Sequence, residues 1–193
     1  DMCTGNAPVP LVLSLKTDAK IIGFELQRAI AELAWESISI NGLDKQIKVI
    51  NDDVKNIGEF FKPNTFDVIT CNPPYFKIND DKNKNKNDYL TLARHEIAID
   101  LETIFKLVNR FLKDNGVFYM VHRAERLDEI IILANKYKLN VKEIQFISTK
   151  KNNNPSTILV KCVKNSKIGV KIKREICVDN LSTYQHLFEG SGK

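Results

Sequence analysis

The stretch Phe66–Tyr75 reads FDVITCNPPY and joins a run typical of a buried strand to a rigid polar turn. Phe66–Cys71 is mostly apolar, as a strand covered on both faces would be. Asn72–Tyr75 then ends the strand, because proline fixes φ and has no N–H to donate to a strand ladder. We therefore expect Asn72 to lie at the edge of a sheet.

The segments on both sides of this turn alternate between helical and extended patterns. Helices are predicted over Val9–Thr17, Leu26–Ile40, Ile99–Leu112 and Ala124–Tyr137. Further strands are predicted over Lys20–Glu25, Ile47–Ile50, Gly116–His122, Val141–Ile147, Ser156–Val163 and Ile168–Val178. This order is typical of an α/β fold with a mostly parallel sheet and helices on both faces. The turn at Asn152–Pro155 predicts an antiparallel hairpin at its C-terminal end.

The composition fits one soluble domain that spans residues 1–193. The chain is 43% hydrophobic and 27% charged, with a net charge of +5. No run approaches the roughly 18 apolar residues that a membrane helix needs. The four cysteines show no metal-ligand spacing, so we expect reduced thiols, a cytoplasmic location and no metal site. Because a glycine turn opens the chain, we expect a first strand and a helix to precede Asp1.

Polar groups follow three consecutive predicted strands. The opening Asp1–Asn6 (DMCTGN) contains a glycine turn, where the backbone can approach a ligand closely. Glu25 ends the next strand, and a carboxylate at that distance can accept hydrogen bonds from ribose hydroxyls. Asp53 and the backbone amide of Val54 follow the third strand and could bind the edge of an adenine. Together they predict a nucleoside cofactor at one rim of the sheet.

The turn at Asn72–Tyr75 suits the chemistry of a planar NH2 group. The lone pair of such a nitrogen is delocalised, so two acceptors aimed at its hydrogens would favour a pyramidal, nucleophilic form. The side-chain oxygen of Asn72 and the carbonyl of Pro73 can be those acceptors. Two prolines hold them with little conformational freedom, and Tyr75 offers a face on which a base can stack.

This turn, placed after the fourth strand, resembles the Asn-Pro-Pro-Tyr motif of the amino-methyltransferases. These enzymes share a Rossmann-like class I fold with a seven-stranded sheet and use S-adenosylmethionine. More narrowly, the chain is similar to the bacterial enzymes that methylate N6 of the adenine beside the anticodon of a valine tRNA (adenine 37). The narrower similarity rests on DMCTGN at the start, NPPYF at 72–76, ARHE at 93–96, VHRAERL at 121–127 and the C-terminal hairpin.

The resemblance implies a set of site residues. The catalytic residues would be Asn72, Pro73, Pro74 and Tyr75. The residues that contact S-adenosylmethionine would be Asp1, Cys3, Gly5, Asn6, Glu25, Leu26, Asp53, Val54 and Asn72. Cys3 and Ala7 stand where the family usually carries glycine, which puts the affinity for the cofactor in question.

An RNA partner, in particular tRNA, is expected from the resemblance and the basic charge. Candidate RNA contacts are Lys77, Lys82, Lys84, Lys86, Arg94, His95, Arg123, Lys150 and Lys151. The lysines after the catalytic turn could close on RNA, or they could belong to a solvated loop. His95 could touch the substrate, or it could cap the helix that follows.

Three other functions stay open. The same motif serves methylation of a protein glutamine amide, which also presents a planar NH2 group. Methylation of a guanine amine in ribosomal RNA is another possibility. A non-enzyme alternative is an RNA-binding protein with a degenerate cofactor loop, against which the intact Asn72–Tyr75, Glu25 and Asp53 argue.

Overall fold

A computed structural model describes residues 1–74, 99–150 and 153–179. The strands in these residues are β1 (Ile21–Glu25), β2 (Ile47–Asn51), β3 (Phe66–Cys71), β4 (Leu112–Arg123), β5 (Leu139–Ser148), β6 (Thr157–Lys164), β7 (Lys171–Ile172) and β8 (Ile176–Cys177). The α-helices are α1 (Pro8–Ser14), α2 (Arg28–Ile40), α3 (Ile57–Phe60), α4 (Leu101–Phe111) and α5 (Leu127–Lys136). Short 3-10 turns precede α3 and α5, at Val54–Asn56 and Ala124–Arg126.

The predicted Rossmann-like α/β class is confirmed, but the prediction of one seven-stranded sheet is wrong. Over the described residues, β1 and β2 form a parallel pair, and six strands form a second sheet in the order β3-β4-β6-β5-β7, with β8 also on β5. Residues 1–4 lie between the two sheets. Met2 N–H donates to the Thr70 carbonyl and Thr4 N–H to the Phe24 carbonyl, both at 2.9 Å. These contacts connect the sheets without a regular strand between them.

The C-terminal part agrees with the prediction in its hairpin and differs in its last strand. β5 and β6 pair antiparallel, as the turn at Asn152–Pro155 predicted. The single strand predicted over Ile168–Val178 is instead two strands of two residues each, β7 and β8. Ile168 and Ile172 are 87% and 58% exposed. Their alternation therefore has no buried face that would hold the segment as one strand.

Helices α4 and α5 cover one face of the six-stranded sheet. The apolar residues of α4 recur at helical spacing and are buried, and Phe105 meets Phe118 of β4 edge to face at 5.7 Å. The Asp100 side chain caps α4 by accepting a hydrogen bond from Thr103 N–H. On the opposite face Val68 and Tyr119 are about half exposed. That face of the six-stranded sheet is open among the described residues, whereas α1 and α2 pack against β1 and β2 around a separate apolar cluster.

A buried lysine binds the carbonyl groups at the C-terminal end of α4. The ammonium of Lys164 donates to the carbonyls of Asn109 and Leu112 and to the Asn64 side chain, at 2.7–2.8 Å. The last carbonyls of a helix lack partners within the helix, and a cation there also complements the helix dipole. Lys164 thus fixes β6 against the end of α4.

Candidate active site

A cavity of about 400 Å³ opens where the first four strands end. β1 runs parallel to β2, and β3 runs parallel to β4. The cavity is lined by Met2, Cys3, Gly5, Phe24, Glu25, Leu26, Gln27, Asp52, Asp53, Val54, Lys55, Asn72, Pro73, Pro74, Ile99 and Arg123. Residues that follow four different strands therefore meet around one space.

Glu25 is the most firmly held acid of the cavity. It is 8% exposed, and its Oε2 accepts from Gly5 N–H while its Oε1 accepts from Gln27 N–H, both at 2.9 Å. Gly5 has φ +56°, and nothing lies within 4 Å of the position a Cβ would take. Because an ionised carboxylate has about four acceptor positions, each oxygen of Glu25 can accept a further hydrogen bond from a ligand.

The end of β2 is tied to the end of β1 and carries two adjacent acids. The Asn51 side chain donates to the carbonyls of Glu25 and Leu26 at 2.8 and 3.0 Å. Asp53 accepts from Lys55 N–H at 2.9 Å and forms an ion pair with the Lys55 ammonium at 2.9 Å. Since Lys55 is half exposed, this ion pair is weak and can exchange for a ligand.

The end of β3 places an exposed amide against a rigid support. Asn72 is exposed, Pro73 is buried and Pro74 is partly buried, and all three line the cavity. Cys71, the preceding residue, is buried and pairs with Met120 of β4. The Asn72 side chain therefore sits at the rim on backbone that the sheet holds in place.

The end of β4 adds a cation supported by a buried histidine. Arg123 lines the cavity and is exposed. His122 is buried, and its Nδ1 accepts from Arg123 N–H at 2.9 Å. Burial, followed by the positive charge of Arg126, lowers the pKa of His122 from 6.5 to about 4. His122 is therefore neutral at physiological pH, and its unprotonated Nδ1 can accept the hydrogen bond from Arg123 N–H.

Most of the site residues predicted from the sequence in the described part of the chain meet at this cavity. They are Cys3, Gly5, Glu25, Leu26, Asp53, Val54, Asn72, Pro73, Pro74 and Arg123. Asp1 does not line it, because its carboxylate accepts from the Thr70 hydroxyl at 2.8 Å. Asn6 is exposed in the turn before α1, and Lys150 is exposed in the turn after β5. The roles assigned to all of these residues stay predictions.

The other predicted residues lie outside the described residues. They are Tyr75, Lys77, Lys82, Lys84, Lys86, Arg94, His95 and Lys151. Conversely, six residues line the cavity but were not among the predicted site residues: Met2, Phe24, Gln27, Asp52, Lys55 and Ile99. Asp52 and Lys55 lie within two residues of the predicted Asp53, and that proximity was the signal available for them. Gln27 contributes a backbone amide, and a pattern of side chains cannot predict such a contribution.

No group of three or more histidine, cysteine or acidic side chains that could hold a metal ion occurs within residues 1–74, 99–150 and 153–179. Nor does any helix in that part of the chain combine the length and apolar character needed to cross a bilayer.

Comparisons with known proteins identify related sequences and a related fold. The sequence model of a family described as "Methyltransferase domain" matches residues 1–176. The tRNA1(Val) (adenine(37)-N6)-methyltransferase of Bacteroides thetaiotaomicron is 29% identical over 174 residues, which are 89% of this chain and 70% of that protein. The protein of the same name from Phocaeicola vulgatus is 26% identical over 160 residues, 83% of this chain and 66% of that protein.

The chain thus spans about two thirds of the length of these curated relatives. Among solved structures, a predicted O-methyltransferase from Agrobacterium tumefaciens superimposes with a TM-score of 0.72. The identity is 15%, and the match covers 100% of this chain and 90% of that one, so it shows the fold alone. Because the family model spans nearly the whole sequence, the chain belongs to the methyltransferase domain family.

Proposed function

We propose that this protein transfers a methyl group from S-adenosylmethionine to N6 of an adenine in tRNA, and that the substrate is adenine 37 of a valine tRNA. The observation that carries the proposal is the meeting of Glu25, Asp53 and Asn72 around one cavity. The curated relatives carry this activity in their names. The proposal includes the cytoplasmic location expected from the unpaired cysteines.

The residues around the cavity fit a nucleoside sulfonium. Glu25 presents two carboxylate oxygens already oriented by backbone N–H groups, as an acceptor for two ribose hydroxyls should be. Asp53 and the Val54 amide stand at the next strand end, where they can bind an adenine edge. Gly5 leaves its side of the cavity open to the rest of the ligand. When bound, S-adenosylmethionine supplies an electrophilic methyl group.

Asn72 and Pro73 are proposed to hold the target amine. The Asn72 side-chain oxygen and the Pro73 carbonyl would accept the two N–H hydrogens and expose the nitrogen lone pair. Their contribution is orientation and electrostatic stabilisation of a nitrogen that becomes positive as it is alkylated. The nitrogen grows more acidic in the same step, so no strong base is required. Pro73 is buried, which favours a fixed position for its carbonyl.

The target adenine must leave the base stack to reach the cavity. Extrusion costs a few kcal/mol, and less from a loop than from a duplex, so an anticodon loop suits the site. Arg123 is exposed at the cavity edge and is proposed to meet a phosphate. Glu125 lies 3.9 Å from the Arg123 guanidinium, a distance at which the ion pair competes weakly with an RNA phosphate.

The proposal is tested by incubating the protein with methyl-labelled S-adenosylmethionine and, separately, a valine tRNA transcript, ribosomal RNA and a peptide-release factor. Nucleosides and peptides are then separated and identified by mass spectrometry. Label in N6-methyladenosine from the tRNA is the expected result. Label in N2-methylguanosine would instead identify ribosomal RNA as the substrate, and label in a glutamine amide would identify the release factor. RNA binding without transfer to any substrate would identify a non-catalytic binding protein.

The nucleotide is tested in the same assay with altered tRNA. A transcript in which adenine 37 is replaced by guanine has the same loop and phosphates, and we expect it to bind without accepting label. An undiminished amount of N6-methyladenosine in that transcript would show that another adenine is the one methylated.

A further inference from the structure

Positive charge is concentrated in one segment of the chain. Residues 138–179 contain ten lysine and arginine residues and three acidic ones, a net charge of +7. The other residues together contain 19 basic and 21 acidic ones, a net charge of −2. The excess of positive charge therefore belongs to the segment that forms β5 to β8. Charge of one sign on one region attracts a partner of the opposite sign.

The exposed part of this charge lies along the outer edge of the six-stranded sheet. Residues 165–174 include four basic residues and no acidic one. They run beside β5, where Lys171 pairs with Glu143 and Lys173 N–H donates to the Ile144 carbonyl at 2.8 Å. The four basic residues are all exposed and together form what we name the basic edge: Lys167, Lys171, Lys173 and Arg174.

One carboxylate lies among these cations. Glu143 pairs across the strands with Lys161 on one side and with Lys171 on the other. Its carboxylate oxygens are 3.2 Å from the Lys161 ammonium and 3.7 Å from the Lys173 ammonium. The hydrogen bond with Lys161, followed by the charges of the neighbouring lysines, lowers the pKa of Glu143. Because three lysines share this one acid, positive charge remains for an external anion.

The basic edge is within reach of a nucleic acid bound at the cavity. Three strand spacings separate β7 from β4, about 14 Å at about 4.8 Å each. Along the strands, Lys171 is level with Tyr119, four residues before Arg123, which adds about 13 Å. Lys171 is therefore about 20 Å from the end of β4, less than one turn of a nucleic-acid duplex, which is about 34 Å.

We propose that the basic edge is a second RNA-binding surface, which contacts phosphates in the stem of an RNA hairpin whose loop enters the cavity. Exposed lysine and arginine side chains neutralise a phosphate backbone without distinguishing its bases. The position of the loop rests on the proposed function, whereas the affinity of the basic edge for RNA phosphates does not.

An anionic lipid surface would also attract these cations. RNA is favoured because the cavity, whose residues fit a nucleoside, lies on the same sheet at a distance that one hairpin spans. Binding to lipid is therefore kept as an outcome of the experiment.

The main variant replaces Lys171, Lys173 and Arg174 together with alanine. The three residues lie outside the lining of the cavity, so affinity for S-adenosylmethionine should not change. We expect affinity for the anticodon stem–loop of a valine tRNA to fall at least about tenfold. The slope of log affinity against log salt should fall by about 2, since each lost phosphate contact lowers it by about 0.7–0.9. Affinity for the loop sequence alone, as a short single strand, should stay the same.

The matched control removes the same charge near β1 and β2. It replaces three exposed lysines with alanine: Lys16, Lys45 and Lys48. An effect of net charge alone would weaken RNA binding equally in both triple variants. We expect the control to lose less than about twofold in affinity.

Glu143→Gln tests the same surface in the opposite direction. It removes the acid that the lysines share and keeps the shape of the side chain, so affinity for the stem–loop should rise about threefold. Lysines on an edge strand also oppose pairing with another chain. That role alone would leave the RNA affinity of Glu143→Gln unchanged.

Binding of the whole protein to fluorescently labelled RNA is measured by anisotropy over a series of salt concentrations, and binding to vesicles of anionic phospholipid is measured beside it. Stem–loop affinity that is unchanged in the main variant, or lost equally in the control, would overturn the RNA surface. Vesicle binding that the main variant loses, with RNA affinity unchanged, would assign the basic edge to a membrane instead.

Methyl transfer to the stem–loop is assayed with the same samples. Wild-type protein that binds the stem–loop through the basic edge but transfers no methyl group would overturn the proposed function and leave the RNA surface standing. Transfer by the wild type, with stem–loop affinity unchanged in the main variant, would do the reverse.

Discussion

The two halves of the cavity wall are held in different ways. In the β1–β2 half (Gly5, Glu25 and Asp53), both carboxylates accept hydrogen bonds from backbone amides before any ligand arrives. In the β3–β4 half (Asn72, Pro73 and Arg123), the polar side chains are exposed and only the backbone beneath them is buried. One half is thus built for a small ligand of fixed shape. The other half exposes its polar side chains, as a surface that contacts a large substrate would.

The largest expected effect lies in the β3–β4 half. Asn72→Ala removes one acceptor for the target amine, and we expect kcat to fall at least about a hundredfold. The dissociation constant for S-adenosylmethionine, measured by calorimetry, should change less than about threefold. Asn135→Ala, an exposed asparagine on α5, is the matched control. If Asn72→Ala lost cofactor affinity by the same factor as kcat, the proposed separation of cofactor binding and catalysis between the two halves would be wrong.

The next effect lies in the β1–β2 half. Glu25→Gln replaces a charged acceptor with a neutral one that cannot accept at both ends, and affinity for S-adenosylmethionine should fall at least about tenfold, or about 1.4 kcal/mol. At saturating cofactor, kcat should stay near the wild-type value. Glu36→Gln on the exposed side of α2 is the control. A fall in kcat with unchanged affinity would assign Glu25 to chemistry instead of binding.

His122, the buried residue that accepts a hydrogen bond from Arg123 N–H, makes the free energy of unfolding depend on pH. Because the pKa of His122 falls from 6.5 to about 4 on folding, the folded state takes up a proton less readily than the unfolded state. Stability is therefore unaffected above about pH 7 and is lost as the pH falls from 6.5 towards 4, by about 2 kcal/mol at pH 5. Urea unfolding at pH 7 and pH 5 measures this loss.

His122→Asn isolates that dependence, since its side-chain oxygen can still accept from Arg123 N–H. The variant should be less stable at pH 7 and should lack this part of the decline towards pH 5. An identical decline in the variant and the wild type would assign the acid sensitivity to other groups.

The smallest effect concerns RNA alone. Arg123→Ala should weaken tRNA binding about threefold and should lower the slope of log affinity against log salt by about 0.7–0.9, as the loss of one phosphate contact does. Cofactor affinity should not change. Arg110→Ala on α4, away from the cavity lining, is the control. A change in cofactor affinity instead would place Arg123 with the β1–β2 half.

The sequence predicted the elements whose signals are local. Phe66–Cys71 was located from an apolar run and is a strand, and Glu25 and Asn72, the polar residues at strand ends, lie at the rim as expected. The division into two sheets was not predictable, because it depends on irregular contacts between residues 1–4 and two strands far along the chain. Local patterns carry no information about such pairings.

The buried position of Lys164 was missed because its partners are far away in the sequence. A lysine at the end of a strand is usually solvated, and the three oxygens that bury Lys164 come from Asn64, Asn109 and Leu112. Such contacts become visible only once the strand order is known.

That strand order has a consequence for synthesis on the ribosome. β6 lies between β4 and β5, although β5 precedes it in the chain. The end of β4 that carries Arg123 therefore gains its partner, Thr157, only after the hairpin has emerged. Until then β4 has an unpaired edge, a state prone to aggregation. A nascent chain that stalls before Thr157 would hold every residue that lines the cavity yet lack the strand that pairs with the end of β4.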